Sequence, residues 1–161
     1  HLSFILIVIY IITTRNIVAY KTKFLIQNPS KYIGDSNNII CRSLWERRVC
    51  RYMDQNKNIL RWGSEEIKIP YYSPIDKKMH NYYPDFIAEI KKPCGIVQTY
   101  IIEVKPKRQT KEPIKKRQKK KTFIQECLTY TINQKKWNAA EKVCNKKGWN
   151  FLILTEDTIL P

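Results

Sequence analysis

With 161 residues the chain has room for one domain around one core, and an apolar content of 43% with four tryptophans excludes a disordered tail or linker. Thirty Lys and Arg against 14 Asp and Glu leave a formal net charge of +16. A surplus this large points to a polyanion, nucleic acid first and an anionic membrane second, because cations along a phosphate backbone release condensed counterions. Five cysteines without a CxxC pair, beside only two histidines, give no zinc-ligand set and no even-numbered disulfide framework, so they are read as reduced thiols.

Residues 2–12 form an apolar run shorter than the roughly 20 residues that cross a bilayer. It lacks the basic flank and small-residue cleavage site of a secretory signal. Residues 1–18 are therefore treated as an apolar leader, read as an extension of the reading frame, with a membrane anchor as the lesser alternative. Residues 19–42 are polar and irregular, with turn signals at Asn28-Pro29-Ser30 and Gly34-Asp35-Ser36, and are expected to form an arm packed on the core.

Ser43-Leu44-Trp45-Glu46 has the form of a capping box, and Trp45, Val49, Tyr52 and Met53 supply an apolar stripe, so a helix is predicted from Ser43 to about Gln55. Three strands are predicted next: Glu65 to Tyr72, Tyr82 to Ile90, and Thr99 to Val104, separated by turns at Ser73-Pro74-Ile75-Asp76 and Pro93-Cys94-Gly95. The segment 106–121 holds nine Lys or Arg, one acid and two prolines, which predicts a mobile basic loop. Phe123, Cys127, Tyr130, Gln134 and Trp137 then fall at helical spacing, and Gly148 sits where a helix would end. Trp149 to Leu154 reads as a closing strand. The expected order is αβββαβ, an α/β fold with a mixed central sheet flanked by helices, in a domain spanning 43–157.

Asp85, Glu103 and Lys105 carry the chemistry. Hydrolysis of a phosphodiester needs a divalent cation held by hard oxygen ligands beside a polarised water. Residues i and i+2 of a strand share a face, so Glu103 and Lys105 project together, and an adjacent antiparallel strand can bring Asp85 alongside. Taken alone, a Pro-Asp followed by Glu-x-Lys is weakly specific; the bland alternative is a turn acid and two solvated strand charges.

Six stretches make the pattern more specific: Arg42-Ser43-Leu44-Trp45-Glu46, Trp62-Gly63-Ser64-Glu65, Ile69-Pro70-Tyr71, Tyr83-Pro84-Asp85-Phe86, Glu103-Val104-Lys105-Pro106-Lys107 and Leu154-Thr155-Glu156-Asp157. From about Tyr20 to Asp157 they resemble the head-completion nucleases of T-even-like tailed phages. The same order of elements is similar to the N-terminal catalytic domain of transposon-end nucleases. The resemblance implies a PD-(D/E)XK restriction-endonuclease-like fold and Mg²⁺-dependent cleavage of double-stranded DNA, with Mn²⁺ able to substitute. It matches Asp85 and Glu103 to metal-binding acids and Lys105 to the catalytic lysine. Glu46 matches a helix acid near the metal, although its capping role is a sufficient reason for a Glu there. The implied metal-side set is Asp85, Glu103, Val104 and Glu46, with Gln134 as a polar residue turned toward the site from the second long helix.

Phosphate contacts are expected from Lys107, Arg108, Lys111, Lys115, Lys116, Arg117, Lys119, Lys120 and Lys121. Such contacts position DNA without reading its sequence. The resemblance also implies portal or head proteins as partners and action in the host cytoplasm during assembly or in the virion rather than after secretion; the Cys and His content argues against zinc. Two other readings remain open: a DNA-binding head-completion protein that no longer cuts, and a transposon-end or junction nuclease.

Overall fold

The computed structural model describes residues 21–159. The leader predicted over 1–18, together with residues 19 and 20, lies outside the described residues. Among those described, no helix is long and apolar enough to cross a membrane.

The arm is folded onto the body of the protein. Its strands β1 (Thr22–Lys23) and β2 (Ile40–Cys41) pair antiparallel, and Phe24, Tyr32, Ile39 and Cys41 are buried. Phe24 and Tyr32 both meet Trp62 edge-on, with centroids 6.1 and 4.9 Å away. Helix α1 (Leu44–Gln55) starts because Ser43 Oγ accepts from the Glu46 N–H at 3.1 Å, satisfying a donor the first turn leaves orphaned. The predicted stripe is the buried one: Val49, Tyr52 and Met53 face the core, with Trp45 packed at its margin.

Asp54, at the end of α1, is 2% exposed, and its two carboxylate oxygens accept from the N–H groups of Gln27 and Asn28 at 2.8 and 3.0 Å. Lys31 reaches back to the carbonyls of Met53, Asp54 and Asn56 at 2.8–3.0 Å, closing the C-terminus of the helix. Asp54→Ala would leave two arm amides without their charged acceptor. The expected loss is about 3 kcal/mol, a fall in Tm of roughly 10 °C. A shift under about 2 °C in thermal unfolding would show that the arm does not depend on this anchor.

Next come β3 (Ile59–Ser64), the hairpin strands β4 (Ile69–Ser73) and β5 (Lys78–Tyr82), and then β6 (Phe86–Lys91) and β7 (Val97–Val104). Helix α2 (Lys120–Lys147) ends at Gly148, whose φ of 67° is the left-handed conformation a helix stop favours. Strand β8 (Asn150–Leu154) and the short helix α3 (Glu156–Ile159) follow. The central sheet has the order β3-β6-β7-β8. Its first two pairings are antiparallel and the last is parallel, with α2 as the crossover that a parallel pair requires. The mixed αβββαβ order predicted from the sequence is therefore present as α1-β3-β6-β7-α2-β8.

Three boundaries differ from the prediction. Strand β3 was not anticipated: a register irregularity between Ile59 and Arg61 breaks its alternation, so the apolar residues do not fall at every second position. The strand predicted over 65–72 instead supplies β4, which pairs with β5 in a separate hairpin inserted between β3 and β6. The strand predicted over 82–90 is interrupted at Tyr83-Pro84-Asp85, where Pro84 has no N–H to give a ladder.

The sheet divides the core in two. One face packs against α1 and the arm through Trp62, Phe86, Ala88, Ile90, Ile102 and Val104. The other packs against α2 and the hairpin through Ile69, Tyr71, Tyr82, Ile101, Trp137 and Ala140. The Lys136 ammonium lies over the rings of Tyr71 and Tyr82 at 5.8 and 5.7 Å, tying hairpin to helix.

Burial raises the phenol pKa of Tyr32, whose hydroxyl also donates to Glu66 at 3.1 Å, and burial raises that of Tyr52. An unfolded tyrosine ionises near pH 10, so stability from these groups is complete below that pH and is lost as pH rises above it. Tyr32→Phe should flatten the fall of Tm between pH 9 and 11; an unchanged slope would remove Tyr32 as its source.

Candidate active site

The second core face ends in a cluster of charge. Glu103 follows Ile101 and Ile102 in β7, so alternation places it on the side of α2 and the hairpin, and only 3% of it is exposed. Asp85 stands in the linking residues immediately before β6, one position outside the strand in which the sequence reading placed it. It is nonetheless alongside Glu103, because β6 and β7 pair with Phe86 opposite Ile102. Lys105 lies just past the end of β7, where its N–H donates to the Leu154 carbonyl of β8 at 2.9 Å.

The three predicted catalytic residues meet. Lys105 Nζ is 2.8 Å from Glu103 Oε1 and 3.8 Å from Asp85 Oδ2. Asp85 Oδ2 also accepts from the Val104 N–H at 2.7 Å. Burial, and then the Glu103 carboxylate, push the Asp85 carboxyl up to about 7, against the opposing pull of Lys105 and the Val104 N–H. Burial alone would lower Lys105, but Asp85 and Glu103 outweigh it and hold the ammonium above its usual value. Two nearly buried carboxylates served by one ammonium are short of positive charge, which is the electrostatic setting of a cation site.

The donor set suits a hard divalent cation: Asp85 and Glu103 supply carboxylate oxygens, and Val104, having an apolar side chain, could contribute only its carbonyl. Among the described residues no group of three or more His, Cys, Asp or Glu converges, so water would complete the shell. Glu46 is close enough to raise both Asp85 and Lys105, yet its oxygens are engaged in the helix cap. Oε1 accepts from the Ser43 hydroxyl at 2.9 Å and Oε2 from the Arg42 N–H at 2.7 Å. Gln134 is half-buried, whereas the amide within the core is Asn133, 6% exposed and with Nδ2 unpartnered among the described residues. The inward face of α2 runs through Asn133, Trp137, Ala140 and Cys144, a spacing that could have identified Asn133 in the sequence.

Sequence reasoning missed Tyr82. Its hydroxyl donates to Glu103 Oε2 at 2.5 Å, and burial followed by the Glu103 charge raises its pKa so far that it remains a donor. Tyr82 and Lys105 thus hold the two oxygens of Glu103 from opposite partners. Tyr82→Phe keeps the ring in the core and removes the bond. It is expected to weaken divalent-metal binding about 10- to 100-fold with little change in Tm, measured by calorimetry and thermal unfolding. Unchanged metal affinity would make the hydroxyl a mere core contact.

Of the nine residues predicted in the basic loop, Lys120 and Lys121 instead open α2, and the nine divide into two groups. Lys107 faces the C-terminal acids: its N–H donates to Glu156 at 2.6 Å and its ammonium pairs with Asp157. Arg108, Lys111, Lys116, Arg117 and Lys121 line an open cleft of about 920 Å³ between the loop and the first turns of α2, while Lys115, Lys119 and Lys120 are exposed beside it.

Comparison with known proteins identifies the family. The chain is 39% identical over 144 residues, 87% of its length and 93% of the relative's, to the protein named "Head completion nuclease" of Enterobacteria phage T4. No solved structure matches the chain. The family described as TnsA-like endonuclease N terminal matches residues 56–156, which include Asp85, Glu103 and Lys105 but not Glu46. With matches of this extent and a catalytic-type cluster inside the matched region, the chain belongs to the TnsA-like endonuclease family.

Proposed function

We propose that this protein is a Mg²⁺-dependent DNA endonuclease that acts on the DNA-filled head of a tailed phage during head completion, after packaging. The observation that carries the chemistry is the meeting of Asp85 and Glu103, from neighbouring strands, around the Lys105 ammonium. The head-completion role rests on the long alignment with the phage T4 relative.

Asp85 and Glu103 would hold a Mg²⁺ or Mn²⁺ ion, with the Val104 carbonyl as a further donor, and the ion would supply polarisation of the water and an offset to charge on the scissile phosphate. Lys105, kept protonated by the two carboxylates, orients water and phosphate oxygens through its N–H donors and stabilises the pentacovalent charge. The loop lysines and arginines, led by those lining the cleft, hold the phosphate backbone of double-stranded DNA and leave its sequence unread. Portal or other head proteins are the partners, in the host cytoplasm during assembly and in the virion.

The test is nicking of a supercoiled plasmid by the purified chain in Mg²⁺, Mn²⁺, Ca²⁺ or chelator. Nicking in Mg²⁺ and Mn²⁺, absent with chelator, is the expected result. DNA binding without nicking in any metal would favour a structural head-completion role.

A further inference from the structure

The β4–β5 hairpin has one face packed and one face bare. Ile69, Tyr71 and Tyr82 turn inward onto α2. The cross-strand partners Tyr72 and Met79 turn outward, 53% and 64% exposed, with Pro70 opposite Asn81 two pairs further along, on the same face. Ile75 in the turn and Tyr83 beyond β5 extend this exposed apolar surface at either end. Lys68, Lys77 and Lys78 are exposed along the same segment, against one carboxylate, Asp76, which is paired with His80 at 2.6 Å. Solvent-facing strand positions are ordinarily polar, so clustered tyrosine and methionine call for a partner.

The position of the hairpin identifies that partner. Its root, Tyr82, donates to Glu103, and its exit, Tyr83-Pro84, leads into Asp85. A five-residue strand extends about 17 Å, so the hairpin, rooted at Glu103 through Tyr82, spans no more than about five base steps from the carboxylates. The rim of lysines suits phosphates. Between them, the exposed Tyr72 ring provides a stacking surface that Met79 extends with apolar contact, and Asn81 lies on the same face as an edge-reading group. Stacking surfaces recognise the flat faces of bases, which an intact duplex conceals and which ends, forks and unpaired stretches present.

We infer that the outer face of the β4–β5 hairpin, centred on Tyr72 and Met79, stacks against unpaired bases next to the cleavage site, making DNA with frayed or forked ends the preferred substrate. This inference rests on the DNA-cleavage reading of the Asp85–Glu103 centre and specifies the substrate for it. The grip on phosphates belongs to the basic loop; the preference for opened DNA belongs to the hairpin.

The test measures binding of fluorescein-labelled DNA by anisotropy in chelator, where no cleavage occurs, using a blunt duplex and the same duplex ending in a fork of unpaired thymidines. Wild type should bind the fork roughly tenfold or more tightly than the blunt duplex, as stacking of one base on an aromatic ring implies. Tyr72→Ser/Met79→Ser, altering only exposed side chains, should bind the two DNAs equally and retain wild-type affinity for the blunt duplex. Equal affinities in the wild type, or a fork preference that survives in the double variant, would overturn the hairpin assignment while leaving the nuclease reading standing. Failure of wild type to bind either DNA would overturn both. Far-UV circular dichroism and Tm of the double variant verify that the hairpin remains folded.

Discussion

Glu103→Gln is expected to lower the rate of plasmid nicking about 1000-fold while leaving affinity for DNA within about twofold of wild type. The substitution keeps size but turns one acceptor oxygen into a donor NH₂ and removes the charge that, with Asp85, would hold the cation. Losing the charge stabilisation a metal supplies is worth several kcal/mol, and about 4 kcal/mol is a thousandfold in rate. The amide oxygen can still accept from Lys105 while the NH₂ donates to the Tyr82 hydroxyl turned to accept it, so the local packing that keeps Glu103 3% exposed should survive. Binding should survive because the proposed phosphate contacts line a cleft to which neither Asp85 nor Glu103 contributes. Gel-based nicking rates and anisotropy on the same preparation separate the two effects. A variant that nicks within tenfold of wild type would exclude Glu103 from the centre.

The converse behaviour is expected of the loop. Replacing Lys111, Lys116, Arg117 and Lys121 by Gln removes four cations from the cleft and should leave the cluster at Asp85, Glu103 and Lys105 untouched. If each contacts a phosphate, the dependence of log affinity on log salt should become shallower by about 0.9 per residue, close to 3.6 for the four. At physiological salt the affinity should fall by two orders of magnitude or so. Nicking at saturating protein should remain near the wild-type rate. Lys107 is deliberately absent from this set, since its ammonium already pairs with Asp157, and Lys107→Gln should change the salt slope little. An unchanged slope in the fourfold variant would make the loop a solvated charge run and move the DNA path elsewhere.

Two kinds of feature were legible in the sequence. One was local chemistry: Ser43 and Glu46 fix the start of α1 through a cap that involves only neighbours, and Gly148 fixes the end of α2 through its own backbone. The other was strand alternation, which put Glu103 and Lys105 together and needed only antiparallel pairing to bring in Asp85. What escaped depends on contacts across the fold. Strand β3 is irregular in its pairing, and the β4–β5 hairpin looks like part of a meander until its partner is known. Tyr82 gives no sign of its role from spacing, since its bond to Glu103 spans 21 residues. Lys107 resembles every other cation of its run until Glu156 and Asp157, at the far end of the chain, are folded against it. Helix α2 shows the intermediate case: its periodicity was visible, but the chosen face ran through Gln134, while tertiary packing buries its neighbour Asn133.

Asp85 and Glu103 are proposed to form one metal centre together. The measurement that tests it most directly is calorimetric titration of Mn²⁺ into DNA-free protein, comparing wild type with the Asp85→Asn/Glu103→Gln double variant. A saturable binding event in the wild type that disappears in a double variant of unchanged Tm or greater is the predicted result, since removing two crowded buried charges should not destabilise the fold. Mn²⁺ binding of the same affinity in both proteins would contradict the account and place the metal elsewhere in the chain.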